Sequence, residues 1–396
     1  PYSLEAPVHD AEDALLSAAR QLDDALFAIA DPMEKLAARL QDKLTSEAED
    51  LDSSSRTRLE AVRQGILRRV KNMLKPWQAM LRELETGTRD GFVDWSSIER
   101  FNTREIDLGL HRHWIDPTIP FAETVLSPAH GVVITSATLR DESSAEETAS
   151  TEQDTPEDWP EDWPASWQSA EMRTGLSHLL LPGSRHSVPS PFDYAAQTRV
   201  FVVTDVSKKD MEQVAAGYRA LFEASHGGAL GLFTAIARLK AVYGHLAGPM
   251  ADAGLPLYAQ HIDAFDPATL VEIFRAERDS CLLGTDAVRD GVDVPGEALR
   301  LIVFDRVPWP RPTILHRARR EAFGSRGYDD MIARLRLKQA FGRLIRRQTD
   351  RGAFVMMDSA CPTRLLSAFP PEITVQRLGL AEAVSEVRDF LGESAG

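Results

Sequence analysis

Cys281-Leu282-Leu283-Gly284-Thr285, followed six residues after Thr285 by Gly291-Val292-Asp293-Val294-Pro295-Gly296, is the stretch on which the fold turns. A short apolar run ends on a glycine and a hydroxyl, and a loop flanked by glycines follows. Glycine lets backbone amides approach an anion closely, and Thr285 adds a hydroxyl at the same strand end. The same residues also read as a plain strand and turn with structural glycines. Working outward, short apolar runs recur at Val200–Val203, Ala229–Phe233, Leu257–Ala259, Leu301–Phe304 and Phe354–Met357. Amphipathic stretches such as Lys208–Ala224 and Asp266–Ala276 separate most of them. This alternation predicts an α/β fold, a mostly parallel sheet covered by helices, with ligands beyond the carboxyl ends of the strands. Thr234, Thr285 and Asp305 fall at such ends.

A helix is expected over Asp329–Arg347, with Leu337, Phe341, Leu344 and Ile345 on its apolar stripe. Gln339, Arg343 and Arg346 then stand at i, i+4 and i+7 beside that stripe. Forked guanidinium donors suit phosphoryl oxygens, although a solvated basic face is the usual fate of surface arginines. Gly342 inside this helix costs about 1 kcal/mol against alanine and points to close approach. Asp293 is placed to bind a ribose or to orient an arginine. Ser136 and Thr138 follow an expected buried strand, Gly131–Thr135, and Thr234 either meets a phosphate or caps the next helix. His111 and His113 lack cysteine or acidic ligands at a metal-site spacing, so packing is the preferred reading. No Gly-x-x-x-x-Gly-Lys-Ser/Thr phosphate loop, Gly-x-Ser-x-Gly elbow or His-Glu-x-x-His helix occurs among the 396 residues.

The net charge of −15 argues against a polyanion-binding protein until its distribution is read. Eleven acids and no Lys or Arg lie between Asp141 and Met172, where Pro-broken tryptophans predict a mobile loop. From Arg300 to Arg351, fourteen Lys/Arg face five Asp/Glu, a local net of +9. Local field decides phosphate binding. Residues 10–86 read as helices, with a break at Asp31-Pro32 and a cap at Ser53-Ser54-Ser55. Leu15, Leu22, Leu26 and Ile29 mark the apolar face of the first. Two cysteines cannot supply a four-thiolate cluster and fit a reduced, cytoplasmic setting. No apolar run approaches the ~18 residues of a membrane helix.

Taken in order, Ile134-Thr135-Ser136-Ala137-Thr138-Leu139, Leu232-Phe233-Thr234, Gly284-Thr285 with Gly291–Gly296, and Gln339-Ala340-Phe341-Gly342-Arg343-Leu344-Ile345-Arg346 resemble motifs III to VI of DinG/XPD-type superfamily 2 helicases. Ser190-Pro191-Phe192 and Pro308-Trp309-Pro310-Arg311-Pro312 add to the resemblance. It implies a RecA-like second motor domain at 191–396, preceded by an arch-like helical insertion at 1–90. Residues 91–140 would close the first motor domain, and 141–190 would be an acidic insert and linker. It further implies that Arg343 and Arg346 meet ATP phosphates, with Gln339 beside the same cleft and Asp293 and Gly291 on the nucleotide side. Thr234 and Thr285 would touch the DNA backbone, and Ser136 and Thr138 would couple hydrolysis to strand movement. ATP with Mg2+ would be held mainly by an upstream domain carrying the phosphate loop and acidic box, where an iron–sulfur cluster also belongs in many members. The implied partners are single-stranded, forked and duplex DNA. Two rivals remain: a non-catalytic nucleic-acid-binding or regulatory module, and an RNA-directed translocase.

Overall fold

The computed structural model describes residues 2–8, 13–101, 104–140, 165–179, 184–291 and 293–392. The acidic stretch 141–164 and Val292 lie outside the described residues. The chain forms two compact units, Pro1–Pro117 with Pro312–Ala322, and Thr118–Arg311 with Phe323–Gly396.

In the first unit, α1 (Asp13–Ser46) packs against α2 (Ser53–Arg69) and α3 (Lys75–Glu83), which a wider turn, Val70–Leu74, joins end to end. The expected break at Pro32 is absent. One missing N–H does not end α1, because its packing runs past the proline, with Ala19 and Leu26 buried before it and Ala37 and Leu44 after it. The expected apolar face is also displaced. Leu26 is buried, but Leu15, Leu22 and Ile29 are exposed, and small alanines take their place at the contact. Asp52, one residue before the serine run, is the true cap of α2, and its carboxylate accepts from the Ser55 amide.

Strands also enter this unit. The segment β1 (Tyr2–Pro7) pairs with β2 (Phe92–Phe101), which pairs with β3 (Arg104–Trp114), all antiparallel. On that hairpin Trp95 lies directly opposite His111. The ring of Trp95 stacks on His111 and His113 with centroids 5.1 and 5.0 Å away. His111 also bonds the Ser97 hydroxyl at 2.7 Å. Burial, then the neighbouring His111 and Arg319, pushes His113 below the usual imidazole range. The histidine pair is thus a packing element. The helix Ile314–Ala322 belongs to this unit too: Arg319 donates to the carbonyls of Ile115 and Trp114, and the Ile314 amide donates to Glu5.

The second unit is built on seven strands in the order β10-β4-β9-β8-β5-β7-β6, every neighbouring pair parallel. They are β4 (Thr198–Val203), β5 (Ala229–Leu232), β6 (Leu257–Ala259), β7 (Cys281–Gly284), β8 (Leu301–Phe304), β9 (Gly352–Met356) and β10 (Val375–Leu378). The connecting helices are α4 (Met211–Ala224), α5 (Ile236–Asp252), α6 (Pro267–Ala276), α7 (Asp286–Gly291), α8 (Ser325–Phe341) and α9 (Leu380–Gly392). Alternate strand residues enter opposite cores. Phe201, Val203, Leu283 and Val303 meet α4, α5 and α9, while Val202, Leu282, Ile302 and Phe354 meet α6 and α8. Burial on both faces is why these strands read as unbroken apolar runs.

Two expectations fail here. Residues 131–135 form no strand, and Val133 is 90% exposed; an apolar run becomes a strand only where a sheet edge receives it. The helix expected over 329–347 ends at Phe341, with Gly342 as its cap residue. Arg343 and Arg346 therefore lie in the following turn, and the i, i+4, i+7 stripe does not exist.

Candidate functional site

Because the strands are all parallel, every loop that follows one lies at a single carboxyl edge, and every loop that precedes one lies at the amino edge. The residues expected to carry function divide between these edges.

At the carboxyl edge, Thr234 follows β5 and Thr285 follows β7, both half-buried. Thr234 does not cap α5, whose cap residue is Ala235 with no side-chain bond. The Thr285 amide and hydroxyl both bond Oε1 of Gln260, each at 2.9 Å. Gly284 is required for this turn: a Cβ there would stand 2.5 Å from that of Val288. Two buried carboxylates end the neighbouring strands. Asp305, after β8, accepts two bonds from Arg238, at 2.6 and 2.5 Å. Asp358, after β9, accepts from Lys208 at 2.9 Å.

At the amino edge stands the loop between α8 and β9. Leu344 and Ile345 anchor it in the core, 1% and 4% exposed, which turns Arg346 outward. Arg346 Nη2 lies 3.4 Å from Asp293 Oδ1, so the acid of the glycine loop and the last arginine form an ion pair. Gln339 is half-buried near the end of α8, Arg343 is half-buried one residue beyond Gly342, and Gly291 closes α7. Ser136 and Thr138 share a small turn, with hydroxyls 3.2 Å apart. Arg173 holds the carbonyls of Thr138 and Leu139, and Lys338 of α8 reaches the carbonyl of Arg140 at 3.1 Å. This brings the turn to the α8 side of the unit.

Two polar residues that sequence reading missed hold the arginine loop. Buried Asp350 accepts from the amides of Arg346 and Arg347 at 2.9 and 2.8 Å. Buried Gln197, just before β4, donates to the carbonyls of Arg347, Gln348 and Asp350 at 3.2, 3.1 and 2.8 Å. Both cysteines are free and buried, and burial pushes Cys281 up to about 12 and Cys361 up to about 11, so neither is poised as a nucleophile.

A family model described as a helicase C-terminal domain matches residues 218–374, the span that carries the turn at Thr285, Asp293 and the arginine loop. The chain therefore carries a helicase C-terminal domain and is similar to helicases of the DinG type. The seven-stranded parallel sheet flanked by helices accordingly has a RecA-like fold. Among its relatives, the ATP-dependent helicase DinG of Mycobacterium tuberculosis is 33% identical over 198 residues, 46% of this chain and 28% of that protein. The protein named 3'-5' exonuclease DinG of Bacillus subtilis is 27% identical over 297 residues, 72% of this chain and 29% of its own length. The ATP-dependent DNA helicase YoaA of Escherichia coli is 31% identical over 200 residues, 46% and 31% respectively. The chain thus spans less than a third of each relative. Among the described residues, no helix is long and apolar enough to cross a membrane.

In this helicase C-terminal domain, Asp350→Ala is expected to leave the Arg346 and Arg347 amides without acceptors. At about 1–3 kcal/mol for such groups, their hydrogen exchange should quicken roughly tenfold to a hundredfold, while amides of β5 and β8 keep their protection. Exchange measured by mass spectrometry on the peptide spanning 342–352 checks this.

Proposed function

We propose that this chain is the second motor domain and arch-like portion of an ATP-dependent DNA helicase, which couples ATP hydrolysis to movement along single-stranded DNA and unwinds duplex, 5′ to 3′, in DNA repair or replication. The observation that carries the reading is the division of polar groups between two edges of one sheet. Arg346 with Asp293, and Arg343 in the same loop, offers forked cationic donors at the amino edge. Thr234, Thr285 and Gln260 line the carboxyl edge, where ligands of parallel sheets bind. The seven hydrogen-bonded strands tie both edges into one body. Closure of the amino-edge arginines on a nucleotide then displaces the carboxyl-edge groups along a nucleic-acid backbone.

In this reading the phosphate loop and acidic box reside in a further part of the protein. ATP with its Mg2+ is held mainly there, and the metal screens the phosphate charge that Arg343 and Arg346 approach. An iron–sulfur cluster would also draw its ligands from elsewhere, since Cys281 and Cys361 are buried in the two cores of the sheet. Ser136 and Thr138 relay the nucleotide state between domains, and Gln339 lines the same cleft.

The test is ATP hydrolysis, with and without single-stranded DNA, by this chain and by the full-length protein. Stimulated hydrolysis in the longer protein alone supports the reading. No hydrolysis in either replaces it with a non-catalytic nucleic-acid-binding module, and stimulation by RNA but not DNA replaces it with an RNA-directed translocase.

A further inference from the structure

The hydrogen bonds around Thr285 contain a constraint on which group contacts a nucleic-acid backbone. Gln260 follows β6 and is 4% exposed. Its backbone N–H donates to the Leu283 carbonyl at 2.9 Å, one rung beyond the β6–β7 pairing, which holds its side chain against Thr285. The atom facing the Thr285 backbone N–H must be an acceptor, because a main-chain N–H only donates. The amide of Gln260 therefore has one allowed orientation, with Oε1 toward Thr285. The Thr285 hydroxyl, 2.9 Å from the same oxygen, must then donate its single proton to it. What remains on that hydroxyl is lone pairs, and a phosphate oxygen also offers only lone pairs. The Gln260 NH2, by contrast, has no hydrogen-bond partner among the described residues, since both bonds to its side chain fall on Oε1.

We propose that the donor offered to a nucleic-acid phosphate at this turn is the Gln260 amide, and that Thr285 is the residue that orients it. This rests on reading the carboxyl edge as the nucleic-acid side. The surroundings suit the role. Thr234, Thr285 and Gln260 follow β5, β7 and β6, adjacent strands spaced ~4.8 Å apart, so they form a row along the edge. Directly after Gln260 the chain turns at His261, whose φ of 68° is one of two positive values outside glycine among the described residues. Left-handed backbone in such a residue is found most often at turns and functional sites. Burial, then the charge of Lys240, holds His261 below the usual imidazole range.

The test uses the full-length protein and a fluorescein-labelled oligothymidylate, with affinity read by anisotropy at one fixed salt concentration. Gln260→Glu keeps an acceptor for both Thr285 donors but replaces the NH2 with a negative oxygen. Thr285→Val removes the hydroxyl and keeps the backbone N–H that holds Gln260. Gln260→Glu should weaken binding by roughly tenfold or more, the worth of one hydrogen bond to a charged group, and Thr285→Val by less than about threefold. Matching thermal unfolding of both variants and wild type shows that the fold is retained. If Thr285→Val loses as much as Gln260→Glu, or neither loses affinity, the assignment is overturned. Wild-type protein that does not bind the oligonucleotide overturns instead the reading of this edge on which it rests.

Discussion

Arg346→Ala in the full-length protein lowers kcat for ATP hydrolysis by about a thousandfold, the lower range for loss of an arginine that stabilises a phosphoryl transition state. The geometry makes the test clean. The Arg346 side chain is 37% exposed and its partner Asp293 is 76% exposed, so their ion pair at 3.4 Å contributes about 0–1 kcal/mol to stability. The loop itself is held by Leu344, Ile345, Asp350 and Gln197, none of which depends on the guanidinium. Unfolding should thus stay near wild type while turnover collapses. Arg346→Lys should recover little, because an ammonium is a single point charge where the site presents a planar fork. Turnover of Arg346→Ala within threefold of wild type would remove this arginine from the chemistry, leaving Arg343 to carry it.

Reading the strands from sequence worked where physics leaves a one-dimensional trace. Parallel strands buried on both faces must be apolar throughout, and β4, β5, β7, β8 and β9 were legible for that reason. The edge strand β10, Val375-Gln376-Arg377-Leu378, is only half-buried and mixes polar with apolar residues, so nothing set it apart from a loop. The run at 131–135 has the composition of a strand and no partner, and composition alone does not supply one. At Gly342 the apolar pattern continues through Leu344 and Ile345 although the helix has stopped, because a loop anchored in the core buries the same residue types as a helix does.

The site was half legible. Thr285, Asp293 and the arginines lie in short segments with recognisable order, but that Asp293 pairs with Arg346 was visible only in the structure. Gln197 and Gln260 were invisible. Gln197 acts on backbone carbonyls 150 to 153 residues away, and Gln260 on Thr285, 25 residues away. A lone glutamine has no periodicity, and its partners in these cases are set by strand order.

Arg238→Ala is expected to destabilise the RecA-like unit by about 3–5 kcal/mol, the cost of leaving a buried charge without its partner. The Asp305 side chain is fully buried, and Arg238 Nε and Nη2 grip its two oxygens in a bidentate pair. The remaining reach of Arg238 goes to the Lys208 carbonyl at 2.8 Å, so one guanidinium joins α5, the end of β8 and the segment before α4. Removing it leaves the buried carboxylate only Arg306, whose Nε stands 4.0 Å from Asp305 Oδ2 without hydrogen-bonding it. Removing both charges is different: Arg238→Ala with Asp305→Asn leaves no buried carboxylate to desolvate, and the double variant should recover at least half of the loss. Urea unfolding monitored by far-UV circular dichroism measures each arm of this cycle. Losses that simply add would mean that the two side chains are independent, and that the pair does not fasten the carboxyl edge beside Thr234. A recovery would place the anchor of that edge in this single bidentate contact, four residues along the chain from the threonine it steadies.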